Sequence, residues 1–139
     1  MKKIIFLAFL LVSTAALAEN GNVQFIDGWI KQLPPVVPMR AGYMQIKNDS
    51  EQAMEITALQ SDAFEIVEMH ETKMEDGMMK MIELETIPLS ARSIVELKPG
   101  GKHLMLISPV QPLQIGDIVK VIATFSNDST QSFELEVKR

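Results

Sequence analysis

Two histidines and two methionines stand at a spacing that could hold a soft metal ion. They are His70, Met81, His103 and Met105, with ten, twenty-one and one residues between successive members. Thioether sulfur favours copper(I) over zinc or copper(II), and neutral imidazole is a good borderline ligand. Thioethers do not titrate, and they form no disulfides in an oxidising compartment as cysteines do. The four side chains therefore predict a copper(I) site that releases its ion by stepwise ligand exchange.

Neighbouring β-strands are needed to bring these ligands together. Side chains two residues apart in a strand point to the same face, so one strand could present His103 and Met105 side by side. His70 lies near the end of one arm of a predicted hairpin, and Met81 lies in the other arm. Strands on both sides of an ion could then supply ligands, although the sequence alone leaves their proximity open.

Other methionines and the acidic residues nearby have simpler interpretations. Three methionines are assigned to the core, where this residue commonly fills gaps: Met44, Met54 and Met69. Three more surround the predicted hairpin turn and could assist copper capture: Met74, Met78 and Met79. Copper(I) disfavours carboxylates, so four acidic side chains are interpreted as a solvated rim without a ligand role: Glu68, Glu71, Glu75 and Asp76.

The composition fits one folded domain and argues against several functional classes. The 139 residues carry a formal charge of −5 without a basic run, so nucleic acid is not an expected partner. The sequence has no cysteine, which argues against disulfides, zinc-thiolate sites, a lipid-attachment cysteine and a blue-copper electron-transfer site. It also shows no Ser/His/Asp arrangement, hard-ligand metal site or phosphate loop, which predicts a protein that is not an enzyme.

The N-terminus has the features of a secretory signal peptide. Two lysines precede an apolar run too short to span a bilayer comfortably, and small residues end it at Ala16-Leu17-Ala18. We therefore predict a signal peptide at residues 1–18 and a single domain at residues 19–139. The domain is expected to be a periplasmic monomer without a membrane anchor.

The remaining chain alternates short strand patterns with turn residues, which is typical of an all-β sandwich or barrel. Eight or nine short strands are predicted, at residues 23–30, 42–47, 54–59, 64–72, 78–84, 92–97, 103–108, 118–125 and 131–138. Asp76-Gly77 is a strong hairpin signal, and Pro99-Gly100 suits a type II turn. Prolines predict an extended loop at residues 33–38. The strand count favours a Greek-key architecture.

The spacing of His70, Met81, His103 and Met105 resembles the full signature of the periplasmic copper chaperones of the PCu(A)C family, written PCuAC below. The surrounding sequence is also similar to that family, in the same order over nearly the whole mature chain, at residues 28–30, 41–44, 67–70, 77–81, 97–101, 112–113 and 116–117. The resemblance implies a cupredoxin-like β-barrel that binds copper(I) through these two histidines and two methionines. It further implies delivery of copper for respiratory cytochrome oxidase assembly, through a transient acceptor such as an oxidase subunit or another copper assembly factor.

Two other functions are compatible with the sequence. One is a metal-free exported β-sandwich that binds a protein partner and whose histidines are incidental. The other is a copper-tolerance or storage protein without an oxidase role. Some PCuAC members carry a His/Met-rich C-terminal extension that binds additional copper. Here the last predicted strand reaches Lys138, next to the final Arg139, and a single copper ion is expected.

Overall fold

The computed structural model describes residues 22–139, and the predicted signal peptide at residues 1–18 lies outside the described residues. Ten β-strands make up the described chain: β1 (Val23–Lys31), β2 (Met39–Asn48), β3 (Met54–Gln60), β4 (Phe64–Glu75), β5 (Met78–Leu84), β6 (Ile87–Leu89), β7 (Ser93–Leu97), β8 (Lys102–Pro109), β9 (Ile118–Phe125) and β10 (Thr130–Lys138). Over residues 22–139, no helix has the length and hydropathy needed to cross a bilayer.

Seven of the strands close into a barrel. Hydrogen-bonded neighbours follow the order β4, β8, β2, β1, β10, β9 and β3, and β3 returns to β4 through the pair Leu59 and Val67. The β1–β10 pair is parallel, and the other pairs around the ring are antiparallel. Outside the ring, β5 pairs with β4, β6 with β3 and β7 with β2. The predicted all-β barrel is confirmed.

Alternation along the last two barrel strands builds much of the core. The inward side chains are buried: Val119, Val121, Ala123 and Phe125 on β9, and Phe133, Leu135 and Val137 on β10. Because residues two apart share a face, each strand turns one apolar face inward and a second face outward. Met44 and Met69 also lie in this core, whereas Met54 is half-buried and packs against it. The predicted faces of both strands are confirmed.

Two tight turns set the register of the strands that carry the histidines. In the β4–β5 hairpin, Asp76 and Gly77 have φ angles of 51° and 76°, as the central pair of a type I′ turn requires. Between β7 and β8, Gly100 has a φ of 79°, and the Gly101 N–H donates to the Lys98 oxygen at 3.0 Å. This is the geometry of a type II turn, so both turn predictions are confirmed.

Tertiary pairing adds strand residues that local patterns do not reveal. The predicted fourth strand ends at Thr72, but β4 continues to Glu75 because β5 pairs with it as far as the turn. The strand β6 is absent from the sequence prediction, since three residues centred on a proline carry too little alternation. Ile87 and Leu89 are buried against β3, while Pro88 is exposed at the edge of the sheet, where proline is tolerated.

Arg40 anchors the loop between β1 and β2. Its side chain is buried, and its guanidinium donates to the main-chain oxygens of Val37, Met39 and Leu33 at 2.5, 2.9 and 3.1 Å. Burial lowers the pKa of Arg40, and the carbonyl oxygens stand in for the water that the cation has lost. The loop predicted at residues 33–38 is confirmed, since strand structure resumes only at Met39, but it is not extended throughout, because the Val37 N–H donates to the Pro34 oxygen at 3.0 Å in a turn.

Candidate metal centre

His70 and His103 face each other across two adjacent strands. They are directly opposite in the antiparallel β4–β8 pair, and their ring centroids lie 6.0 Å apart with 39° between the ring planes. Their neighbours Met69 and Leu104 are buried in the core. Because successive side chains alternate between faces of a strand, the two histidines project from the outer face of the barrel.

One nitrogen of His70 is held by a carboxylate, and the other has no partner. Nε2 lies 2.8 Å from Oε2 of Glu68, while Nδ1 is buried and makes no hydrogen bond to any described residue. An ionised carboxylate only accepts, so Nε2 carries the hydrogen and Nδ1 keeps its lone pair. A carboxylate on the far nitrogen is the usual support of a metal-binding histidine. The buried, unpaired Nδ1 therefore suits a metal ion.

His103 is held in a similar way by the turn that precedes it. Its Nδ1 lies 3.0 Å from the main-chain oxygen of Gly101, which can only accept, so Nδ1 carries the hydrogen and Nε2 keeps the lone pair. The same Gly101 oxygen accepts from the Thr72 N–H at 3.1 Å, which ties the turn to β4. With 5% of its surface exposed, the His103 ring is fixed before any ligand arrives.

The two predicted methionine ligands lie on opposite sides of His70. Met105 is opposite Glu68, and Met81 is opposite Thr72. Each is therefore a diagonal neighbour of His70, on the same face of the sheet as His70. Diagonal neighbours lie roughly 7–8 Å apart, within reach of long side chains. The structure thus places all four predicted ligands on one face of β5, β4 and β8. Met105 and Met81 are not neighbours of each other.

Two thioethers and two carboxylates surround this histidine pair, since Glu68 contacts His70 and Glu83 lies directly opposite it on β5. Among residues 22–139, no group of three or more His, Cys, Asp or Glu side chains is arranged to hold a metal ion. The side chains that flank His70 diagonally are the thioethers of Met105 and Met81. Two imidazoles with two thioethers match the preference of copper(I) and not that of hard, oxygen-seeking cations.

Glu68 corrects one interpretation made from the sequence. It was expected to belong to a solvated acidic rim, but it is half-buried and contacts the His70 ring. The signal was available, because Glu68 stands two residues before His70 and shares its face of a strand. The rim interpretation took account only of metal ligation and overlooked hydrogen bonding to a ligand. Glu68 is a hydrogen-bond partner of His70.

A row of aromatic rings continues from the histidine pair across the barrel. Tyr43 lies 6.5 Å from His103 between ring centroids, at 52°, and Trp29 lies 4.7 Å from Tyr43, at 46°. The four rings come from the neighbouring strands β1, β2, β8 and β4. Burial raises the pKa of Tyr43. No role at the site was predicted for these two aromatic residues.

Comparison with known proteins places the chain in a family. The family model described as "Putative lipoprotein LpqE-like" matches residues 23–137. The "Putative lipoprotein Lxx21020" of Leifsonia xyli subsp. xyli (strain CTCB07) is 30% identical over 121 residues, which cover 86% of this chain and 72% of that protein.

Solved structures with the same fold include PCuAC domains. The copper-bound PCuAC domain from PmoF2 has a TM-score of 0.71 at 18% identity, with 85% of this chain and 93% of that chain covered. The copper(I) form of DR1885 from Deinococcus radiodurans has a TM-score of 0.60 at 24% identity, with 80% and 74% covered. These likenesses confirm the predicted cupredoxin-like architecture. The chain is a member of the LpqE-like family, and its barrel has the fold of PCuAC domains.

Proposed function

We propose that this domain binds one copper(I) ion through His70, Met81, His103 and Met105, and that it carries the ion to an acceptor protein. The observation that carries the proposal is the state of the His70 ring. Its Nε2 is held by Glu68 while its buried Nδ1 has no partner among the described residues. A buried polar atom without a partner is unfavourable, and a metal ion on that lone pair would remove the penalty.

The donor set supports copper(I) as the cargo. Thioethers are soft and uncharged, and they favour copper(I) over zinc and copper(II). The PmoF2 domain and DR1885, which share this fold, have been solved with copper bound. The same donors make redox catalysis and metal-assisted hydrolysis poor alternatives, because such chemistry needs harder ligands or a coordinated water.

The unequal exposure of the ligands supports a carrier role. His103 is buried and fixed, whereas Met81 is 54% exposed at the outer side of the set. A ligand at the edge can be replaced first by a donor from a partner, and the remaining ligands hold the ion until it transfers. We infer that copper leaves by stepwise exchange that begins at Met81.

The proposed setting is the periplasm. Cleavage after Ala18 would release residues 19–139 as a monomer without a membrane anchor. The acceptor would be an oxidase subunit or another copper assembly factor, and the copper would serve the copper centre of a respiratory cytochrome oxidase. A strain that lacks the gene should then lose oxidase activity. Unchanged oxidase activity together with greater copper sensitivity would assign the domain to copper tolerance or storage.

Competition with a copper(I) chelator under anaerobic conditions tests the binding proposal. The exported protein should take one copper(I) per chain from the chelator, and His70→Ala should lose that ability. Met78→Ser is the control for loss of a hairpin side chain outside the site, because Met78 is exposed and lies opposite Glu75 on the other face of the hairpin. A wild-type protein that leaves all copper with the chelator would contradict the proposal and favour a metal-free interaction domain.

A further inference from the structure

Three methionines cluster on one face of the β4–β5 hairpin, beyond the histidine pair. Met74 and Met79 are directly opposite each other, and directly opposite residues on one face have Cβ atoms roughly 4.5–5.5 Å apart. Met81 follows Met79 by two residues on β5 and therefore shares its face. All three thioethers are more than half exposed, so burial in the core does not explain them.

The face that carries these methionines is the face of the metal centre. Met74 is four residues from His70 along β4, and a strand returns to the same face at every second residue. The hairpin turn, with Asp76 and Gly77 both at positive φ, keeps β5 in register. The thioethers therefore line a continuous path from the tip of the hairpin to His70.

The charged side chains on the opposite face of the hairpin pair with one another. That face carries ion pairs between Lys80 and Glu75 at 2.6 Å and between Lys73 and Glu71 at 3.1 Å. These are the charged pairs expected on a solvated surface. This charged face also carries the exposed Met78 and Ile82, whereas Met74, Met79 and Met81 lie together on the other face. Isolated apolar residues on a surface are normal, but a contiguous group usually marks an interaction site.

We propose that Met74, Met79 and Met81 form a second, weaker copper(I) site, through which the ion moves between a partner protein and the histidine pair. The proposal rests on the copper-carrier function argued above. Met81 is the shared ligand, because it is a diagonal neighbour of both His70 and Met74. Transfer exchanges neutral donors around an ion that stays copper(I), so no electron or proton moves. Three thioethers without an imidazole give a looser site, as a point of entry and exit requires.

Methionine methyl NMR during an anaerobic copper(I) titration of the exported protein tests this site. The first equivalent should shift the methyl signals of Met105 and Met81 together with both histidine rings. Further copper should shift Met74, Met79 and Met81, while Met78 on the charged face stays unchanged. If Met78 moves in parallel with Met74 and Met79, or if no methyl responds beyond the first equivalent, the second site does not exist.

The kinetics of copper transfer provide a second test of this site. The double variant Met74→Ser/Met79→Ser should keep the equilibrium affinity of the histidine site but lose rapid transfer to a chelator, whereas Met78→Ser should transfer like wild type. Equal transfer by the double variant would overturn the exchange role. The histidine signals separate the two proposals. If the signals of the histidine rings do not change with the first equivalent, the main copper site is wrong. If the ring signals change but those of Met74 and Met79 do not, only the second copper(I) site is refuted.

Discussion

Glu68 fixes His70 through Nε2 at 2.8 Å and leaves Nδ1 buried without a described partner. We expect Glu68→Gln to weaken copper(I) affinity by about tenfold, because the loss of a partner behind a metal ligand typically lowers affinity about 10–100-fold. Glu71→Gln is the matched control, since Glu71 is adjacent to His70 but points to the other face and pairs with Lys73. Chelator competition measures both variants, and equal affinities would remove Glu68 from the site.

Variants of Met105 and Met69 distinguish a metal ligand from a core residue. Met105→Ser should weaken copper(I) binding while the apo protein keeps most of its stability, because His103 stays in place on the same strand face. Met69→Ala should instead lower the free energy of unfolding by about 2–5 kcal/mol, since this side chain is buried. Thermal melts of both apo variants accompany the competition assay. Wild-type affinity in Met105→Ser with lost affinity in folded Met69→Ala would show that the ligand set is wrong.

Arg40 should matter for folding and not for the metal. Arg40→Met would leave the oxygens of Val37 and Leu33 without their charged donor, and each buried group left unpaired typically costs about 1–3 kcal/mol. We expect a lower midpoint in urea unfolding and unchanged copper(I) affinity in the folded protein. Lys47→Met, at a partly exposed site on the same strand, is the control. Equal midpoints for the two variants would show that the loop does not need this cation.

The phenol absorbance of the protein reports the titration of Tyr43 alone, because the chain has a single tyrosine. Burial raises its pKa above 10.0, so phenolate absorbance should appear at higher pH in the folded protein than in urea. The folded state then holds the phenolic proton more tightly. The resulting stabilisation is complete below the unfolded pKa and is lost as pH rises through the folded pKa. Coincident titration curves in buffer and in urea would contradict the buried environment.

The faces of individual strands were predictable, but the pairing between distant strands was not. The alternation of Phe133, Leu135 and Val137 identified the buried face of β10, and Asp76-Gly77 located the hairpin. By contrast, the β4–β8 register follows from barrel closure and is not encoded in either segment alone. For that reason the sequence proposed four ligands without establishing that they are close together.

The hydrogen bonds that orient the two histidines were not predicted, for a related reason. Glu68 and the Gly101 oxygen act on the histidines through hydrogen bonds whose existence depends on ring orientation. The row of rings through Tyr43 and Trp29 depends on the order of four strands around the barrel. Patterns of residue type identify which side chains could bind a metal. Of the groups that orient those side chains, Glu68 could be suspected from its position two residues before His70, whereas the Gly101 oxygen becomes visible only when the tertiary structure is known.

The nitrogen-resolved NMR spectrum of the two histidine rings, with and without one equivalent of copper(I), tests the central claim most directly. Nε2 of His70 and Nδ1 of His103 are held by Glu68 and Gly101, so both should stay protonated throughout. Copper(I) should change the signals of His70 Nδ1 and His103 Nε2. Spectra that do not respond to copper(I), or copper bound through the nitrogens that face Glu68 and Gly101, would contradict the site proposed for this barrel.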